Sequence, residues 1–199
     1  DINPNITTIT INSNPPGIQL TLDGQPFNSP LTFVGVEGIL RTIGGPFQVT
    51  LNNGATYNFV NWSQGGSLVQ TFSTPVNDVT YTATYSPDLR NPDDVPLTVN
   101  GLNYKYFEGT WSTLPDFETT FPINKRNSTN FDLSLRSVND YFGFRFNGYI
   151  LVPTDGIYTF YTSSDDGSNL YIGNTLVVNN DGAHAAQEMS GQIGLKAGL

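Results

Sequence analysis

Two aspartates stand side by side where a run of alternating residues ends. Ile157-Tyr-Thr-Phe-Tyr-Thr-Ser-Ser164 leads directly into Asp165-Asp166-Gly167-Ser168. Neither carboxylate has a lysine or a helix nearby in sequence to pair with, so both are open oxygen ligands. Such oxygens suit Ca²⁺, a hard cation that takes six to eight of them. Successive side chains of an extended strand point to opposite faces, so both reach one ion only through a cis link or a tight turn. A second oxygen-rich turn, Asn179-Asn180-Asp181-Gly182-Ala183-His184, follows a short strand later. Asn180 and Asp181 are the candidates there to complete a metal site. The plainer alternative stays open: Asp166-Gly167 is an ordinary turn dipeptide, and Asp165 can accept backbone N–H bonds to hold a loop.

Composition removes most other chemistry. The chain has 199 residues, no cysteine, one histidine and a net charge of −9. Thiol catalysis, disulfide scaffolding and cysteine-based metal sites are excluded, and a multi-histidine centre cannot be built from His184 alone. No Gly-x-Ser-x-Gly elbow and no phosphate-binding glycine loop is present. A glycosidase with two facing carboxylates remains conceivable, but Asp165 and Asp166 are too close together to flank a scissile bond. The acidic balance opposes phosphate-backbone binding, so nucleic acid is not an expected partner. No stretch reaches the roughly 20 apolar residues of a membrane span, so no insertion is expected. Asp1 follows no leader-like segment and reads as the start of a processed or trimmed chain.

The elements that must carry these residues are strands. Charged residues make up 13%, while 22 Asn and 23 Thr fill the polar positions. Short Thr/Val/Ile/Tyr/Phe runs alternate with polar residues and are punctuated by Asp-Gly and Asn-Gly dipeptides. Strands are expected over 6–12, 17–23, 57–62 and 79–85, with Trp62 buried at a strand end. Phe142, Phe144, Phe146, Ile150 and Val152 are placed on one face of a long strand through Pro153. One short helical turn is expected around Thr110 to Asp116. The proline- and aspartate-rich stretch from Ser86 to Pro96 reads as a solvated connector. The fold class is therefore all-β, with two tandem β-sandwich domains: residues 1–87, a linker over 88–96, and residues 97–199.

The second unit carries a specific resemblance. Gly101-Leu-Asn-Tyr-Lys-Tyr-Phe-Glu108, Phe144-Arg-Phe-Asn-Gly-Tyr-Ile-Leu-Val-Pro153, Gly156-Ile-Tyr-Thr-Phe160, Ser164-Asp-Asp-Gly-Ser168 and Asn180-Asp-Gly-Ala-His184 occur in order. They resemble the lectin-like β-sandwich of the protective-antigen type, shared by glycosidases, flocculins and adhesins. The resemblance implies that Asp165 and Asp166 are joined by a cis peptide and hold a Ca²⁺ that contacts sugar hydroxyls. It also implies strands beyond the Gly191–Gly198 segment, supplied by a following C-terminal segment or by another chain. In the first unit, Phe59-Val-Asn-Trp-Ser-Gln-Gly-Gly66 and Thr80-Tyr-Thr-Ala-Thr-Tyr85 resemble immunoglobulin-like tail modules of secreted bacterial proteins.

The expected function is thus a calcium-dependent carbohydrate-binding module of a secreted or cell-surface protein, with no catalysis of its own. Asp165 and Asp166 would meet the glycan through the ion. His184 and Trp111 are the further contact candidates, His184 against a plain role as a hydrogen-bonded loop residue, Trp111 as a stacking surface. The alternative is a spacer or adhesion domain in which the aspartate pair only rigidifies its loop.

Overall fold

Alternation of small or apolar residues with threonine decides the first unit. The computed structural model describes residues 3–95 and 97–199; Asp1 and Pro96, on which two of the expectations fall, lie outside the described residues. The chain divides into two units, the first ending at Asp88 and the second running Leu89–Leu199. The first holds β1 (Ile6–Asn14), β2 (Gln19–Leu22), β3 (Gln25–Asn28), β4 (Leu31–Val36), β5 (Leu40–Gly44), β6 (Gln48–Thr50), β7 (Thr56–Trp62), β8 (Gln70–Ser73) and β9 (Val79–Pro87). Two sheets, ordered β4-β1-β9-β7-β6 and β3-β2-β5-β8, enclose one core. Ile9, Ile11, Trp62, Tyr81, Ala83 and Tyr85 from the first sheet meet Leu20, Ile43 and Phe72 from the second. Phe72 and Tyr81 close the gap edge to face at 4.8 Å.

The outer faces explain the threonine content. Register places Thr10 opposite Thr32, Thr42 opposite Thr71 and Thr50 opposite Thr56. Each pair joins its hydroxyls, at 3.0, 3.0 and 2.9 Å. Such cross-strand pairs contribute roughly 0.2–1 kcal/mol each and stabilise a solvated sheet face without charge. One pairing has no local signature: β1 and β9 run parallel, Ile9 beside Val79, joining the two ends of the unit.

The second unit holds β10 (Leu102–Glu108), β11 (Asn124–Ser128), β12 (Phe142–Asn147), β13 (Gly156–Ser164), β14 (Ser168–Ile172), β15 (Thr175–Asn180) and β16 (Gln187–Leu195). β10 is the centre of a three-stranded sheet, β11-β10-β12, while β13 pairs with β16 and β14 with β15. Tyr104 and Tyr106 are buried and pack against Phe144 at 5.8 and 5.0 Å between ring centroids.

Two expectations are corrected here. The long strand ends at Asn147, because Gly148 turns out of the sheet: a side chain there would strike Leu102 at 2.5 Å. Ile150 and Leu151 are exposed in consequence, and only Val152 is buried again. The helical turn lies at Leu133–Leu135, capped by Asp132. In the 110–116 segment Pro115 lacks a donor, and the turn forms one step later, with Thr119 and Thr120 donating to the Asp116 carbonyl. The connector is largely exposed over 86–94, and its backbone also bonds to the second unit. Arg90 N–H donates to Gly194 O, Lys196 N–H to Arg90 O and Asp93 N–H to Leu199 O, so residues 90–93 lie along the end of β16.

Trp62 is fully buried and its indole N–H donates to Leu68 O at 3.0 Å. Replacing it with alanine is expected to destabilise the first unit by about 3–5 kcal/mol, read as a lower urea midpoint in far-ultraviolet circular dichroism. An unchanged midpoint would remove Trp62 from the core.

Candidate functional site

The site is built where two strands end side by side. β13 delivers the chain to Asp165, and β15 delivers it to Asp181, sixteen residues later. β13 is held along its whole length by β16, from Gly156 beside Leu195 to Ser164 beside Gln187. Ser164 and Ser168 face each other across the base of the aspartate loop, hydroxyl to hydroxyl at 2.6 Å. Beneath them lies Asn180, 3% exposed. Its amide nitrogen donates to Ser164 Oγ (3.1 Å), with longer contacts to Ser168 Oγ and Gln187 O (both 3.4 Å), and its Oδ1 accepts from Gln187 Nε2 at 2.9 Å.

Gly167 decides how close the two turns come. A Cβ on it would lie 2.9 Å from Gly182 N, 3.1 Å from Gly182 O and 3.2 Å from Asp181 Oδ1. Only a residue without a side chain lets the aspartate loop touch the 181–184 turn. The contact is reinforced by Asp166 Oδ1, which accepts from His184 N–H at 3.2 Å. A third segment joins through Leu114, whose N–H donates to Asp181 Oδ1 at 2.7 Å; the same oxygen accepts from Gly182 N–H at 2.7 Å. The peptide between Asp165 and Asp166 is cis, and both residues are exposed.

His184 sits between carbonyls. Its Nε2 lies 3.0 Å from Asn180 O and its Nδ1 3.0 Å from Ala185 O. A neutral imidazole has one N–H and leaves a lone pair against the other carbonyl, whereas the imidazolium donates to both. The Asn180 carbonyl first and the Ala185 carbonyl next therefore raise its pKa above the ordinary 6.5, with smaller contributions from the charges of Asp166 and Asp165. Because the folded value is the higher, this contribution to loop stability is complete below about pH 6.5 and is lost as pH rises through the raised pKa.

The expected site residues thus separate by role. Asp165, Asp166, Asp181 and His184 come together. Asn180 is in the same place but is buried and turned inward, so its side chain holds the loops rather than facing solvent. Trp111 is half-buried: its ring covers Gly109, where a Cβ would come within 2.5 Å, and meets Phe117 edge-on at 6.5 Å. It stands three residues before Leu114, on the segment anchored to Asp181. The residues that sequence reading missed are Ser164, Ser168, Gln187 and Leu114, whose parts depend on pairing between distant segments.

Among the described residues no three His, Cys, Asp or Glu side chains gather tightly enough to hold a metal by themselves. Two exposed carboxylates would leave four to six positions of a calcium shell to carbonyls, waters or ligand hydroxyls. That fits a hard cation that shares its shell with a ligand, and fits a soft or tetrahedral metal poorly.

Residues 98–199 match the family model of the PA14 domain. The chain belongs to the PA14 domain family. No curated protein and no solved structure matches the chain. PA14 domains are in general carbohydrate-binding, lectin-like modules found in extracellular proteins. In this PA14 domain the strand ends after β13 and β15 carry the exposed oxygens. No helix among the described residues is long and apolar enough to cross a membrane.

Two outcomes follow from this geometry. Gly167→Ala is expected to part the two turns and to lower stability by about 1–3 kcal/mol, with faster amide exchange at Gly182 and His184; unchanged exchange at both would refute the contact. In an imidazole titration by NMR, His184 is expected to have its midpoint above 6.5, and Asp165→Asn/Asp166→Asn to lower it. A midpoint at or below 6.5 in the wild type would contradict the carbonyl arrangement.

Proposed function

We propose that this PA14 domain binds carbohydrate through a Ca²⁺ held at Asp165 and Asp166, without catalysing a reaction. The observation that carries it is the approach of the aspartate loop to the 181–184 turn through Gly167. It gathers exposed carboxylates that no lysine or arginine neutralises among the described residues. A spacer needs no such concentration of uncompensated negative charge at a strand end. Calcium supplies the chemistry of a hard Lewis acid that accepts hydroxyl oxygens. Asp165 and Asp166 supply its charge, and Asp166 also fixes the opposite turn through His184 N–H.

Asp181 has one oxygen committed to Leu114 and Gly182, and the other is the one left for the ion or its ligand. Trp111 stands on the Leu114 segment and offers an apolar face for a sugar ring, with aromatic–sugar packing adding selectivity. His184 acts through charge: as the imidazolium it opposes a cation beside Asp165 and Asp166, so calcium affinity rises with pH through its pKa. The parent protein is placed at a bacterial cell surface or in the medium, where calcium is plentiful. The first unit is its immunoglobulin-like spacer.

Isothermal titration with calcium is expected to give saturable heat in the wild type and none in Asp165→Ala/Asp166→Ala. Glycan-array binding is expected to disappear with chelator. Absence of calcium heat in the wild type would refute the metal site, and chelator-insensitive glycan binding would refute the role of the ion.

A further inference from the structure

The sheet β11-β10-β12 has a polar face whose charge runs against the rest of the chain. Register sets Lys125 opposite Lys105, and Lys105 opposite Arg145. Three of the chain's eight basic residues therefore stand in one rung, on neighbouring strands about 4.8 Å apart. Like charges directly opposite one another destabilise a sheet, so folding does not favour this rung. The next rung on the same face is equally uniform: Asn127, Asn103 and Asn147 stand in line. The six residues, with Tyr104 and Arg126, line a shallow groove of about 230 Å³.

Glu118 is the one acidic group paired with the rung among the described residues. It forms ion pairs with Arg145 and, at 3.6 Å, with Lys105. Arg145 first, and Lys105 after it, hold the Glu118 carboxyl below the usual carboxylate range, so it stays ionised. Lys125 has no carboxylate partner among the described residues. Three cations against one carboxylate leave an excess of two positive charges in a chain of net charge −9. Arg145 also donates from Nε to Asn147 Oδ1 at 3.3 Å, tying the cationic rung to the amide rung.

We infer that this face is a second, calcium-independent binding surface for an anionic polysaccharide. The cationic rung meets carboxylate or sulfate groups, and the amide rung donates to and accepts from neighbouring hydroxyls, as Asn side chains do. The choice of a sugar polymer rests on the carbohydrate-binding reading above; the choice of an anionic one rests on the rung alone. Single-stranded nucleic acid is the less suited occupant, since such sites stack bases on aromatic rings and the aromatic residue of this groove, Tyr104, is buried.

The probe is an oligogalacturonate, with its methyl-esterified form as the uncharged control and a short oligothymidylate as the phosphate control, all measured in EDTA at low salt. Wild-type protein is expected to bind the oligogalacturonate and neither control. Lys125→Glu is expected to weaken binding roughly tenfold and Glu118→Gln to tighten it roughly threefold, given that an exposed ion pair is worth up to about a factor of five. Asp165→Ala/Asp166→Ala is expected to bind as the wild type does, which separates this surface from the calcium site. No binding in EDTA, equal binding of the esterified form, equal binding of the oligothymidylate, or insensitivity to both rung variants would each overturn the inference.

Discussion

The buried amide of Asn180 is the constraint on which the site depends. A primary amide out of contact with water must satisfy both its nitrogen and its oxygen, and leaving one unpaired costs about 1–3 kcal/mol. Ser164, Ser168 and Gln187 satisfy it, and they come from the end of β13, the start of β14 and the start of β16. One side chain thereby ties three strand ends to the end of β15. The loops that leave those ends, 165–167 and 181–186, inherit fixed starting points. Gly167 then sets their separation, and the exposed carboxylates are held by backbone that has few alternatives.

Much of this was legible from local pattern. The alternation in Val79–Tyr85 forecast the buried Tyr81, Ala83 and Tyr85, and Trp62 was recognisable as a strand-end core residue. Asp165-Asp166-Gly167 and Asn180-Asp181-Gly182 stood out because carboxylates and amides cluster at turns. What escaped depends on which strands pair. The parallel match of β1 with β9 joins segments about seventy residues apart, and no periodicity within either reveals it. The same holds for Asn180, a candidate ligand by its place in the turn: the partners of its buried amide come from Ser164 and Gln187. The end of β12 was misplaced because its apolar positions keep period past Gly148, although the backbone has already left the sheet. The cationic rung was invisible for the same reason, since Lys105, Lys125 and Arg145 are neighbours only after β10 takes its place between β11 and β12.

Charge divides the second unit between two surfaces. Exposed carboxylates crowd the strand ends after β13 and β15, while cations line the outer face of β10 and its neighbours. The segment between β10 and β11 serves both: Leu114 anchors it to Asp181, and Glu118 moderates the cations. At physiological ionic strength fields fade over about 8 Å, so each surface acts on what is placed directly against it.

The most direct test of the account is the backbone amide spectrum of the protein titrated with calcium. The amides of Leu114, Gly167, Gly182 and His184 report on the three segments that meet at the site. The account predicts that all four shift together with a single saturation point, and that Asp165→Asn/Asp166→Asn abolishes the response. Unmoved amides at millimolar calcium, or shifts that persist in the double variant, would contradict it.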